Sequence, residues 1–366
     1  MVRYLYIRFA MDQTNTPQDF AKALCDVALD LHKSSYPNIR KFFAAIRALD
    51  QLTYAYGTNV SSKPVLRQIQ PLVGQFLLPT IQDKTLPPEE AYQVCKEALQ
   101  QLRGDANKSN YARAYSTIEG PIFDNWPNES ASWLLKGEAC IQKAWNVRGG
   151  GYADTVTAEG ARGFAADLAV AEKSLQRAWE LNPNDPRIAV QMIWVELGQG
   201  KGRDRMELWF QNAMRLDPNN YDACNTKLLY IEPKWYGSVQ DMLDFGRECV
   251  QNSQWGGRVP LTLVDGHSDI YEQYTAKSKQ TNYWKQPEVW LDVKAAYDRY
   301  FAVNPKAIGM YKYYARHAWS ADQWAAFNDL VPKVRPLDYD CFGGKNEFEK
   351  MVQLAKTHLD PAAPKP

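Results

Sequence analysis

Three short stretches bring together residue types that can hold a ligand. Arg148 opens a run of three glycines closed by Tyr152, in RGGGY. Glycines let backbone amides come close to an anion, and the arginine adds charge beside them. Lys234-Trp235-Tyr236 and Trp255-Gly256-Gly257-Arg258 each set a cation near an indole, a pairing suited to a planar or anionic group. Arg148, Tyr152, Lys234, Trp235, Trp255 and Arg258 are therefore the candidate ligand-binding residues. Each stretch also has a structural alternative. The glycines can serve a flexible insertion, and the tryptophans can be wedges between helical hairpins, with Ser238 as a helix cap. Two placements stay open. The loops converge into one pocket, since insertions on successive hairpins tend to emerge on one face, or Trp235 and Trp255 occupy separate inter-helix cores with Arg148 in solvent.

No stretch has the pattern of a catalytic centre. RGGGY is not followed by the GK[ST] of a phosphate-binding P-loop. His32, His267, His317 and His358 are scattered without HxxxH or HExxH spacing, and GxSxG is missing. The reading leans towards a non-enzyme, with no catalytic residue, metal or cofactor expected. The pairs Glu89/Glu90 and Asp338/Asp340 read as solvated helix-end and loop charges rather than acid/base couples.

The elements that must position these stretches are written in a repeated phrase. Residues 171–185 read AEKSLQRAWELNPND and residues 206–220 read MELWFQNAMRLDPNN, with Pro218 lying 35 positions after Pro183. A third version, VKAAYDRYFAVNPKA, runs over 293–307. Ala171, Leu175 and Ala178 precede Pro183 by twelve, eight and five residues; Met206, Phe210 and Ala213 precede Pro218 identically, as do Val293, Tyr297 and Tyr300 before Pro305. Steps of four and three put such residues on one stripe of a helix, and the proline ends it. Trp133, Gly137 and Cys140 in WLLKGEACIQKAW suit the partner helix of a hairpin. A period of about 34 residues built from two helices resembles the tetratricopeptide repeat. The fold class expected is all-α, a right-handed α-solenoid of tetratricopeptide-like helical hairpins.

Around that repeat the chain divides into an N-terminal helical region at 1–125, a repeat region at 126–340 and a capping helix with tail at 341–366. The stretch YSTIEGPIFDNWPNES, residues 115–130, has the Gly, Pro and Asn content of a boundary. Ser320 with Gln323, and Ser238 with Asp241, read as helix-capping pairs. Lys312, Arg316 and Trp319 fall on the inner face of the extended repeat register, with Asn225 the only matching residue upstream.

Composition narrows the partners. Lys+Arg 43 against Asp+Glu 42 leaves a net charge of +1, with no long basic run, so no nucleic-acid partner is expected. No segment approaches the roughly 18 apolar residues of a membrane span. MVRYLYIRFAM at the N-terminus, broken by Arg3 and Arg8, reads as neither signal peptide nor anchor. Twelve tryptophans and twenty-one tyrosines suit either a thick helical core or an aromatic groove.

Beyond the generic repeat, KAWNVRGGGYADTVTAEG, IEPKWYGSVQDMLDFGRECV, WGGRVPLTLVDGH and NYWKQPEVWLDVKAAYDRYFAVNP resemble a family of uncharacterised bacterial proteins, a domain of unknown function with tetratricopeptide-like helices. The resemblance covers residues 130–340 and implies a fold but no activity. The function expected is a protein- or peptide-binding scaffold with an aromatic-rich groove. The alternative is an enzyme on an all-α toroid, such as a carbohydrate-active one, with tryptophans stacking on sugars and two carboxylates as acid and base.

Cys25, Cys95, Cys140, Cys224, Cys249 and Cys341 stand singly, with no CxxC. They read as free thiols, which favours a reducing, cytoplasmic location. The native protein, unfolded without reductant, is expected to titrate six thiols per chain; fewer would count against a reducing compartment.

Overall fold

Prolines and caps ahead of apolar stripes open helices in the computed structural model of the chain, which describes residues 16–102, 108–151, 153–275 and 282–359. The N-terminal MVRYLYIRFAM, Tyr152 and the tail DPAAPKP lie outside these residues. Among the described residues all regular structure is helical. None of these helices is long and apolar enough to cross a membrane. The chain folds as two compact units, Met1–Gln191 and Met192–Pro366.

The first unit contains α1 (Pro17–His32), α2 (Asn38–Tyr56), α3 (Leu66–Ile81), α4 (Pro88–Gln100), α5 (Ser109–Asn125), α6 (Ser130–Arg148) and α7 (Ala158–Leu181). Thr16 caps α1 reciprocally with Asp19, and Pro17 fills its first turn. Pro88 does the same for α4, whose first turn carries Glu89 and Glu90 at the positive end of the helix dipole. Helices adjacent in sequence pack against each other, and α6 with α7 is the most extensive pair. Gly137 explains that closeness. A Cβ there would stand 2.5 Å from Leu175 Cγ, so only a bare Cα admits the leucine.

Helix α8 (Pro186–Gln199) spans the division between the units. The second unit continues with α9 (Arg203–Leu216), α10 (Tyr221–Tyr230), α11 (Val239–Gln251), α12 (Thr262–Asp269), α13 (Pro287–Val303), α14 (Tyr311–Ser320), α15 (Trp324–Leu330) and α16 (Lys345–Leu359). The stripes read from the sequence are buried: Ala171, Leu175 and Ala178 in the first unit, and Met206, Phe210, Ala213, Val293, Tyr297 and Tyr300 in the second. Ser238 caps α11 by accepting from the Asp241 N–H.

Three expectations change. Gly120 and Pro121 lie inside α5, which runs to Asn125. Tyr111, Tyr115, Ile118 and Ile122 form its buried stripe, and that packing overrides the local preference for a break. Ser320 is the last residue of α14 and caps nothing; α15 starts after Gln323, which makes no side-chain cap, beyond Asp322 at φ 54°. Asp338 is buried at 3 % exposure rather than solvated. Arg335 and Lys312 bond its carboxylate at 2.6 and 3.0 Å. Burial alone would raise its pKa, but these two cations hold it below the ordinary value.

Gly137→Ala is expected to lower stability by about 1–3 kcal/mol through overpacking, outweighing the gain in helix propensity. Adding Leu175→Ala should make the glycine substitution much less costly in a double-mutant cycle measured by urea denaturation. Additive costs would show that the two residues do not meet.

Candidate functional site

A candidate site lies in the second unit, where the turn 217–220 and the loop 252–258 come together. The loop is held from several sides. Gly256 N–H donates to Pro218 O at 3.3 Å. Arg299 Nη2 donates to Ser253 O and Trp255 O at 3.3 and 3.4 Å, and Asn304 Nδ2 to Gly257 O at 2.6 Å. Both glycines have physical reasons: a Cβ on Gly256 would stand 2.7 Å from Asn219 Oδ1, and Gly257 takes φ +55°. Thus fixed, Trp255 meets Phe210 edge-on at 5.8 Å, and Phe210 meets Phe245 in the same manner at 5.4 Å.

Trp255 and Phe210 wall a groove of about 430 Å³, lined also by Met214, Pro218, Glu207, Arg215, Glu248 and Lys227. Lys227 is the unusual member. Its side chain is only 8 % exposed. The ammonium bonds Glu207 Oε2 at 2.8 Å and sits 4.2 and 4.4 Å from the Phe210 and Phe245 ring centres. An ion pair and two ring faces offset part of the cost of taking that charge out of water.

The other candidate residues do different work. Arg258 lies over the Tyr221 ring at 4.4 Å, and Tyr221 donates to Asp265 at 2.5 Å. Burial pushes the Asp265 carboxyl above its ordinary range, against the Tyr221 hydrogen bond and the Arg258 charge. Lys234 pairs with the buried Glu232 at 2.9 Å and donates to Gln273 at 2.8 Å. Trp235 is half-buried beside Tyr236, with ring centres 6.4 Å apart. Tyr236 in turn donates to Leu197 O at 3.0 Å, over Gly200. Arg148 belongs to the first unit. Its guanidinium lies 5.6 and 5.9 Å from the Trp145 and Phe164 rings and donates to Gly149 O and Gly151 O. It thereby closes the glycine loop on itself.

Sequence reasoning missed Lys227 and the roles of Glu207 and Phe210. The available signal was a lysine on the buried side of α10, between Cys224 and Leu228. It also missed a polar cluster around His267. Nε2 of His267 faces Asp292 at 3.2 Å, Nδ1 faces Tyr283 Oη at 2.7 Å, and Arg247 grips Asp292 at 2.8 Å. Burial alone would raise the Asp292 pKa, but His267 and Arg247 hold it below the ordinary value, while burial and Asp292 push the Tyr283 phenol up. The phenol therefore stays protonated and the carboxylate charged, a satisfied network tying α12 to α13. Among the described residues no group of three or more His, Cys, Asp or Glu is placed to hold a metal.

No protein-family model, curated protein or solved structure matches the chain.

Asp269 gives Lys234 a measurable role. Burial, with Glu232 and Asp265 nearby, pushes its carboxyl from 3.8 up to about 6, against the charge of Lys234. A raised carboxyl contributes stability that is present at low pH and is lost as pH rises through that window. Lys234→Met should raise the Asp269 pKa further, as read by NMR titration of the carboxyl carbon, and deepen the stability loss on going from pH 4 towards pH 7. An unmoved Asp269 pKa would remove Lys234 from this cluster.

Proposed function

We propose that the chain is a non-enzymatic scaffold that binds a protein or peptide partner through the Trp255 groove. The observation that carries this reading is the groove itself: apolar walls of Phe210, Met214, Pro218 and Trp255, with Gln211, Asn252 and Gln254 among the lining residues. Apolar walls with a few polar groups are the usual composition of a recognition site, and side-chain amides suit the donors and acceptors of a peptide backbone. The scaffold is read as a right-handed α-solenoid of tetratricopeptide-like hairpins over residues 126–340. The buried stripes at matched distances from Pro183, Pro218 and Pro305 support that reading, as does the close Gly137–Leu175 approach. The resemblance to the bacterial domain of unknown function points the same way. A cytoplasmic location agrees with six free cysteines, five of them buried.

One observation keeps the enzyme reading in view. Glu207 and Glu248 line the same groove as Trp255, the residue set a carbohydrate-active site would need. Against it, Glu207 is engaged by Lys227 at 2.8 Å and by Arg203 at 3.6 Å, which suits a fixed charge better than a proton carrier.

Affinity capture from the native host with the intact chain should recover a protein partner that the Trp255→Ala chain fails to retain. Recovery of no protein, together with turnover of a glycoside in an activity screen and its loss in Glu248→Gln, would overturn the scaffold reading in favour of the enzyme.

A further inference from the structure

The groove in the second unit carries cations whose hydrogen-bonding capacity the protein leaves open. Lys227 has three N–H donors, and its one hydrogen bond goes to Glu207 Oε2. The Phe210 and Phe245 rings take up the field of the charge but replace no acceptor of the strength of water. The other oxygen of Glu207 faces Arg203 at 3.6 Å. Arg215, exposed in the last turn of α9, makes one long contact of 3.5 Å to Asn212 in its own turn. Both cations line the groove together with Trp255 and Met214. The fourth charged lining residue, Glu248, is exposed at the rim, where water solvates it.

We propose that the groove selects peptides carrying an acidic side chain next to an apolar one. This rests on the peptide-binding reading above. The carboxylate is received by Lys227 and Arg215, and the apolar neighbour lies against Trp255 and Met214. A buried ammonium with unused donors gains more from a charged acceptor than from a neutral one. The lining carries two cations and two carboxylates, so the preference for a single carboxylate rests on the open donors of Lys227 and Arg215 and not on net charge. A basic side chain would meet Lys227 and Arg215. A phosphate, with up to two negative charges, would meet Glu207 and Glu248 on the same lining. The apolar neighbour follows from Trp255, whose place is fixed by the bonds from Arg299 and Asn304 to the backbone of its loop.

A library of random twelve-residue peptides displayed on phage, panned on the intact chain and counter-selected on the Trp255→Ala chain, tests this. Enriched peptides should share an Asp or Glu adjacent to an apolar residue. Synthetic copies with that acid replaced by Asn or Gln should bind about tenfold more weakly. Arg215→Gln, a surface change that should leave the circular dichroism spectrum and melting temperature intact, should weaken the acidic peptides and leave their Asn or Gln copies unchanged. Lys227→Met should do the same more strongly wherever it folds. Enriched peptides without an acid, or acid-to-amide copies that bind equally well, would overturn the acidic preference while leaving peptide binding in place. Tighter binding of AMP than of the best acidic peptide would also overturn it. No enrichment over the Trp255→Ala chain would overturn the peptide reading and this inference with it.

Discussion

Two pairs of successive helices, α6 with α7 and α11 with α12, meet where one of them has no side chain to put between them. Gly137 admits Leu175, and Gly246 admits Leu263 so closely that a Cβ would stand 2.8 Å from the leucine Cα. Ala171, Ala178 and Ala213 are fully buried on the same kind of seam. Such contacts fix how far one helix slides along the next, because a shift of one residue brings a larger side chain to the point of closest approach. The turns then have little freedom. Four residues join α7 to α8 and four join α9 to α10, and each of these turns carries the proline that stops the preceding helix. A chain built on this constraint places its irregular backbone in the longer connections, and the 252–258 loop is one of them.

A second regularity concerns charge. Glu138 accepts from Tyr92 at 3.0 Å, with Lys96 at 3.7 Å. Glu196, fully buried, pairs with Arg205 at 2.8 Å. Glu232 has Lys234 and Asp338 has Lys312 and Arg335. The Glu138, Glu196 and Asp338–Lys312 pairs join different elements, so each penalises any packing that separates its members; Glu232 and Lys234 pair within one turn. The near-equal numbers of acids and bases, without long runs of either sign, are the compositional trace of that pairing. Lys227 follows the same rule through Glu207, yet its ammonium also faces a groove. A charge held for structure can serve recognition when one side of it is left open.

The sequence made some of this legible and not the rest, for identifiable reasons. The buried stripes could be read because helical periodicity and a terminating proline are both local. The WGGR phrase could be noticed, but its glycines answer to Asn219 and its carbonyls to Arg299 and Asn304, residues 37 or more positions away. Lys227 was hidden because its three neighbours come from α9 and α11, and Phe210 already had a sufficient explanation as a core residue. The Ser320 cap failed for the opposite reason. A serine three residues before a glutamine satisfies the pattern, but α14 keeps Ser320 as its own last residue, and helix packing outweighs one cap. Asp338 misled because the charge of an Asp in a Pro- and Gly-rich stretch is usually solvated, while here two cations follow it inside.

The groove itself comes from dividing the work between helices and loop. Helices α9 and α11 supply Phe210, Phe245 and Glu207 at spacings dictated by their own packing, so their rings stand edge to face. They offer no broad flat surface. The loop adds one, because Trp255 is carried on backbone whose carbonyls are bound from α13 and whose Gly256 amide is bound from the 217–220 turn. An indole held in this manner loses little freedom when something stacks on it, which lowers the entropic cost of binding. On the proposed peptide-binding reading, loosening the loop would weaken recognition even with every lining side chain still present.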